Sequence, residues 1–323
     1  SWAIFSTNVS RIRPADTSSL GTDTVSGVTV PDESDKYPEE TGRRRFVKGV
    51  VGSAALATIG VGSAATLNLS TAPTGSGGGI TQFFGIEILD GPAPRGMPQI
   101  PVEIDDEGFL QGVFPEPQTV EQQGREVTVA RTQIGGVTYS SEWFQYCGVQ
   151  TYPGVRPDAD QDNYFRYAES AGYEWQNEEV SAGDRVNVSD FEDYETWGNG
   201  IGQSGLGKPA TATWRSQDVP PAGTLPVQIL RVAPDRFEEM QANVGSQQWL
   251  EASTQENFVA WLNKCTHFCC VPAFKGTAQS AKFGAANDVY CPCHQSVYDP
   301  FNPTEYTFVA LPRPEDDGEG GEE

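Results

Sequence analysis

Apolar and polar residues alternate most regularly in REVTVARTQIGGVTYSS, residues 125–141, where two period-two runs flank Gly135 and Gly136. This pattern predicts a hairpin, because the tight turns that match strand twist need residues tolerating positive φ. LPVQILRV (225–232) and ENFVAWLNKC (256–265) are short runs rich in β-branched and aromatic residues and read as further strands. DRFEEMQANVGSQQWLEAS (235–253) predicts a short helix. The rest of residues 80–323 reads as β-rich and heavily looped, with a stretch over about 150–225 rich in Tyr, Trp, Gly and Asp. That stretch reads either as an elaborated β-insertion or as surface loops.

A different pattern precedes this region. From Gly49 to Leu67 there are 19 residues without a charge, close to the ~20 that span a bilayer. Just before them, GRRRFVKG places Arg43, Arg44, Phe46 and Lys48 in the order of a twin-arginine export signal. The segment is rich in Gly, Ala, Ser and Thr, which makes it a weak hydrophobic span. The expectation is a signal anchor and transmembrane helix over 43–69, with a polar tail over 1–42 on the cytoplasmic side. A cleaved signal is the alternative. STAPTGSGGG, residues 70–79, then reads as a flexible linker of ~17 Å root-mean-square span, a hinge or a simple spacer. Residues 80–323 are expected as a single-pass membrane protein's extracytoplasmic head.

Charge narrows the environment. There are 44 acidic residues against 21 basic ones, for a net charge of −23, and only six of the basic residues are lysines. A surface of that sign repels phosphate, which argues against nucleic acid as a partner. It suits concentrated salt, where repulsion is screened within ~3 Å near 1 M, so the chain reads as halophilic and archaeal.

The candidate chemistry is confined to two short segments. CTHFCC (265–270) and CPCHQS (291–296) hold five of the six cysteines and both histidines. With both histidines there, a Ser-His-Asp triad elsewhere has no histidine to use. A single tetrahedral zinc usually takes like pairs, Cys with Cys and His with His. Here each segment supplies one thiolate and one imidazole, Cys265 with His267 and Cys291 with His294. That suits a two-iron centre in which the cysteines hold one metal and the histidines the other. A structural metal staple is the non-redox alternative.

These paired segments resemble the two cluster-binding boxes of Rieske proteins from cytochrome bc-type complexes. The resemblance covers about residues 261–301 and implies one 2Fe-2S cluster with Cys265, His267, Cys291 and His294 as ligands. It further implies a disulfide between Cys270 and Cys293, and hydroxyls at Ser296 and Tyr298 that hydrogen-bond the cluster sulfurs. Two departures stand out: Cys269 and Gln295 occupy positions where the family has glycine. GPAPRG (91–96) resembles a proline loop that the family carries after its second box, but here it lies far before it, so no role is assigned to it. Subtracting ligands and the implied bridge leaves Cys147 and Cys269, which an oxidising compartment would join or leave as a buried and a loop cysteine.

The resemblance implies an all-β fold: a Rieske-type β-sandwich head with a small cluster-binding subdomain, carried on the N-terminal transmembrane helix. The implied function is one-electron transfer, with a proton, from quinol to a cytochrome or copper protein, beside a cytochrome b. His294 is the residue expected to meet the quinol. The small subunit of a molybdenum oxidase such as arsenite oxidase, or a Rieske and cytochrome b pair feeding another terminal reductase, is the alternative. A Rieske oxygenase or its ferredoxin is disfavoured, since those lack the extra cysteine pair and the anchor.

Overall fold

Gly135 and Gly136 both adopt positive φ, at 57° and 83°, and close a two-residue turn between paired strands, as their sequence requires. A Cβ on Gly135 would come within 2.6 Å of the Trp249 Cα, so close packing as well as dihedral angle calls for glycine there. The structure, a computed structural model, describes residues 79–122 and 125–310. Seven strands come first: β1 (Gly79–Asp90), β2 (Met97–Ile100), β3 (Val102–Ile104), β4 (Leu110–Gly112), β5 (Pro117–Gln122), β6 (Arg125–Ile134) and β7 (Val137–Ser140). Four follow from the middle of the chain: β8 (Phe165–Tyr167), β9 (Gly207–Trp214), β10 (Leu225–Val232) and β11 (Phe258–Leu262). The last three are β12 (Ala273–Phe274), β13 (Val289–Cys291) and β14 (Ser296–Ala310).

Nine of these form one antiparallel sheet in the order β12-β13-β14-β1-β2-β11-β10-β9-β8. β3 pairs with β4, and β5-β6-β7 form a third, small sheet. Among the described residues three short α-helices, at Glu174–Glu179, Pro234–Gln241 and Gln247–Ser253, and several 3-10 turns complete a fold that is mostly β, with the large sheet curled. The single helix predicted over 235–253 is two helices. Asn243 accepts from the Gly245 N–H across the break, an Asx-type turn that competes with helical hydrogen bonding.

The register of the large sheet determines where loops gather. Asp90 at the end of β1 lies opposite Val297 near the start of β14, and Trp261 near the end of β11 lies opposite Gln99 in β2. Antiparallel pairing therefore brings three connections to one end of the sheet: 91–96 after β1, 263–272 after β11, and the turn 292–295 between β13 and β14. β2 is the joint between the two halves, pairing β1 through Ile86 with Met97 and β11 through Ile100 with Ala260.

Two buried cores flank this joint. One is aromatic, around Trp143, Trp214 and Trp249. There Trp249 stacks on Phe84 at 5.2 Å and donates from Nε1 to Gln99 Oε1 at 2.6 Å. The other lies beneath the three loops and contains Ile86, Met97, Trp261, Phe274 and Tyr298 with the sulfurs of Cys265 and Cys291. The segment over 150–225 adds β8 and β9 to the sheet and holds the chain just after the first cysteine loop, at β12: Tyr173 Oη donates to the Phe274 carbonyl at 2.7 Å, and Asn199 Nδ2 to the Lys275 carbonyl at 2.8 Å.

Gly79, the last residue of the predicted linker, is instead the first residue of β1, opposite Ala310. The rest of that linker, the tail over 1–42 and the predicted span over 43–69 lie outside the described residues. No helix among the described residues is long and apolar enough to cross a membrane.

Candidate metal centre

The loop 263–272 is tied at its base and again at its tip. Asn263 Nδ2 donates to the Pro272 carbonyl at 2.9 Å, the Cys265 N–H to the Cys270 carbonyl at 2.7 Å, and the Cys269 N–H to the Cys265 carbonyl at 3.0 Å. The turn 292–295 closes with the Gln295 N–H on the Cys291 carbonyl at 2.9 Å, while Cys291 and Ser296 face each other across the hairpin. Cys269 and Gln295 are left-handed, with φ of 63° and 65°. A non-glycine residue there costs ~1–2 kcal/mol, so both loops keep a glycine-type backbone without the glycine.

Two disulfides restrain the loops. Cys270 and Cys293 join one loop to the other, with Cα atoms 6.6 Å apart. Cys147 and Cys269 join the first loop to the segment after the Trp143 core, with Cα atoms 5.5 Å apart. The second bridge resolves the two leftover cysteines as a pair and pins one of the left-handed residues.

Cys265 and Cys291 remain as buried free thiols. They meet side by side, and a hydrogen bond from Cys291 holds the Cys265 thiol down to about 5 against the opposing effect of burial. The Tyr298 hydroxyl and the His267 backbone N–H also favour the Cys265 thiolate. The same thiol contact, with burial, pushes Cys291 up. Tyr298 Oη lies 3.2 Å from the Cys265 sulfur and receives the Thr266 N–H at 3.3 Å, which leaves its own proton free for the sulfur. Burial and the Cys265 contact raise the Tyr298 pKa, so it stays a donor at any ordinary pH. His267 and His294 pack ring against ring, centroids 4.8 Å apart, and the exposed Phe268 ring lies 5.1 Å from that of His294. His267 is half-buried and His294 exposed.

All four sequence-predicted ligands thus stand on the two facing loops, with sulfur meeting sulfur and imidazole meeting imidazole. His267 Nδ1 and Ser296 Oγ are buried without a hydrogen-bond partner of normal geometry, although Ser296 faces the Cys265 sulfur. Each unsatisfied buried group costs ~1–3 kcal/mol, so orphaned atoms beside two free thiols fit a group that the protein binds. The sulfurs of Cys270, Cys291 and Cys293 also lie within 4.8 Å of one another. Two of these three are joined as a disulfide, which removes them as thiolate ligands.

The third connection, 91–96, received no role from the sequence, yet it packs on both cysteine loops. Thr266 Oγ1 donates to the Arg95 carbonyl at 2.6 Å, and a Cβ on Gly91 would fall 2.6 Å from the Ser296 Cα. Its distance along the chain from CPCHQS concealed this contact, which the β1–β14 register creates. Lys264 and Tyr146 were also missed. Tyr146 Oη donates to the Lys264 carbonyl at 3.0 Å, and Lys264 Nζ donates to Tyr152 Oη at 2.5 Å.

The hairpin carrying the second loop has an acid at its foot. Burial pushes the Asp288 carboxyl up to about 6, and the nearby Asp299 charge adds to this. A folded pKa above the unfolded value means that the folded state binds the proton more tightly. Stability held at acid pH is therefore lost as pH rises from about 4 through about 6. Allowing for solvent screening, Asp288→Asn is expected to raise stability at pH 7 by about 1 kcal/mol and to flatten that slope. Chemical denaturation at pH 4.5 and pH 7 measures it, and an unchanged slope would show that the carboxylate is solvated at no cost.

Comparison of the chain with models of protein families, with curated proteins and with solved structures found no match.

Proposed function

We propose that the chain is the Rieske iron–sulfur subunit of a quinol-oxidising complex of the cytochrome bc type. The observation that carries this reading is the pairing of Cys265 with Cys291 and of His267 with His294 across two disulfide-joined loops. The cysteines would hold one iron and the histidines the other. When bound, a 2Fe-2S cluster of this ligation supplies a relatively oxidising one-electron acceptor. Tyr298 and Ser296 aim hydroxyls at the thiolate side and favour added negative charge there. His294, exposed beside Phe268, presents its ring to solvent, where it can take a hydrogen bond from a quinol hydroxyl. The two bridges keep the loops closed over the buried thiols and exclude water from them.

On this reading the large sheet and its neighbours form a β-sandwich head, with residues of about 261–301 as the cluster-binding subdomain. Residues 43–69 are its signal anchor and 70–78 its hinge. The head lies on the extracytoplasmic face, beside cytochrome b, and delivers electrons to a cytochrome or copper protein. The acidic surface suits high salt.

The test is direct. Protein purified from a native-like host should carry about two irons per chain, and its reduced form should show the low-average-g EPR signal of Rieske centres. Stoichiometric zinc and no such signal would leave a structural metal site in place of a redox one.

A finer prediction concerns the donors. Tyr298→Phe and Ser296→Ala should each retain iron but lower the midpoint potential by roughly 40–90 mV, the equivalent of a hydrogen bond worth about 1–2 kcal/mol in a one-electron couple. Redox titration followed by EPR measures the shift. Unchanged potentials in both variants would mean that neither hydroxyl reaches the centre.

A further inference from the structure

Arg95 stands in the connection 91–96 with its guanidinium inside an aromatic cage. The guanidinium carbon lies 4.3 Å from the centre of the Phe308 ring, 5.4 Å from Phe83 and 5.6 Å from Tyr146. Its one hydrogen bond goes to the Gln145 carbonyl at 3.2 Å. Among the described residues no carboxylate forms an ion pair with it, whereas Arg131, Arg156, Arg166, Arg231 and Arg236 each pair with an acid. Arg185 and Arg215 also lack an ion pair there, but the Arg215 guanidinium donates to the Gly154, Gln161 and Ala159 carbonyls and to Asn163 Oδ1. Burial lowers its pKa, yet a guanidinium remains charged throughout the ordinary pH range. In a chain with 44 acidic residues, a half-buried arginine that no described carboxylate pairs with requires a reason. An uncompensated buried charge is costly, and aromatic faces offset only part of that cost.

The cage is attached to the first cysteine loop on both sides of Cys265. Thr266 Oγ1 donates to the Arg95 carbonyl, and Tyr146, one wall of the cage, donates to the Lys264 carbonyl. The backbone of Arg95 and one wall of its cage are therefore both fastened to the residues that flank Cys265.

We propose that Arg95 is a fixed counter-charge of the metal centre: caged by Phe83, Tyr146 and Phe308, it stabilises the negative charge that the centre gains on reduction. This rests on the cluster reading above. Two ferric ions, two sulfides and two thiolates sum to zero, so the oxidised centre draws little on the cation and the reduced one, at minus one, draws fully. Arg95 thus raises the potential without acting as a ligand. Its place matters in strong salt. Charges on the outer surface are screened within ~3 Å near 1 M, but a charge enclosed by rings and backbone is screened far less. A halophilic surface cannot tune the centre under those conditions, and a caged arginine can.

The experiment compares wild type, Arg95→Met, Arg95→Gln and Arg95→Lys as full-length, iron-loaded proteins. Iron content and the EPR signal are read first, then the midpoint potential, at low salt and in molar KCl. Arg95→Met and Arg95→Gln should keep the iron and the signal. At the wild-type midpoint their reduced-to-oxidised ratio should fall severalfold, up to about tenfold, which is 59 mV for one electron. The shift should persist in molar KCl, and Arg95→Lys should recover at least half of it. An unchanged midpoint in the Met and Gln variants, a shift that vanishes in salt, or a Lys variant as low as Met would each overturn the inference and leave Arg95 as packing. Wild-type protein without the Rieske signal would instead remove the cluster reading, and Arg95's role with it. The wild-type spectrum separates these two failures.

Discussion

Cys265→Ser and Cys291→Ser should each lose iron almost completely, with metal affinity down on the order of a hundredfold or more, while the head stays folded. On the proposed ligand set, these two thiolates are the whole sulfur contribution of the protein to the centre. A serine hydroxyl replaces neither their charge nor their softness. Folding should survive because both disulfides and the aromatic core are untouched, and each change replaces a single atom in the second core. The two variants also discriminate between ligand sets. If metal were held by the close sulfurs of Cys270, Cys291 and Cys293 after reduction of their bridge, Cys291→Ser would abolish binding and Cys265→Ser would not. Equal loss in both is the outcome expected here. Iron retained by Cys265→Ser would displace the paired-loop reading.

The second large effect concerns stability. The bridge from Cys147 to Cys269 spans 122 residues, and by chain entropy a closure of that length is worth up to about 5 kcal/mol. Cys147→Ser with Cys269→Ser should therefore lower unfolding free energy by about 3–5 kcal/mol. Replacing Cys269 by Gly in the same background should be about 1 kcal/mol milder. Residue 269 is left-handed, and glycine occupies that region without the Cβ penalty that serine retains. Guanidinium unfolding of the three proteins, with thiol counting to verify the bridge, measures both numbers. If the serine and glycine double variants unfold alike, backbone strain at 269 is negligible and the bridge acts through chain entropy alone. If neither differs from wild type, the bridge contributes nothing to the folded state.

Local chemistry is what the sequence by itself determined. Two mixed Cys and His segments mark a candidate centre because thiolates and imidazoles so spaced have few other uses. Two glycines between alternating runs specify a hairpin because the turn needs positive φ at both. LPVQILRV is β10 to the residue, a strand whose neighbours cover both faces. The partners of Cys147 and Cys269 were narrowed by subtraction, but only the fold brought residues 122 apart in the chain to a Cα separation of 5.5 Å.

Tertiary structure alone decided the surroundings of the centre. Arg95, Tyr146 and Thr266 meet because β1 pairs antiparallel with β14 and β2 with β11, and register over such distances leaves no trace in a local pattern. The split of the helix over 235–253 followed from an Asx turn that apolar spacing does not encode. The segment over 150–225 looked like either loops or strands because a polar, aromatic sequence serves both. Its Tyr173 and Asn199 hold β12 and the residue after it, a contact between segments about 75–100 residues apart that no local pattern displays. A ligand set depends on residue type and short spacing, which a chain displays along its length. The field around it depends on which distant backbones share hydrogen bonds, and that is settled only when the sheet forms.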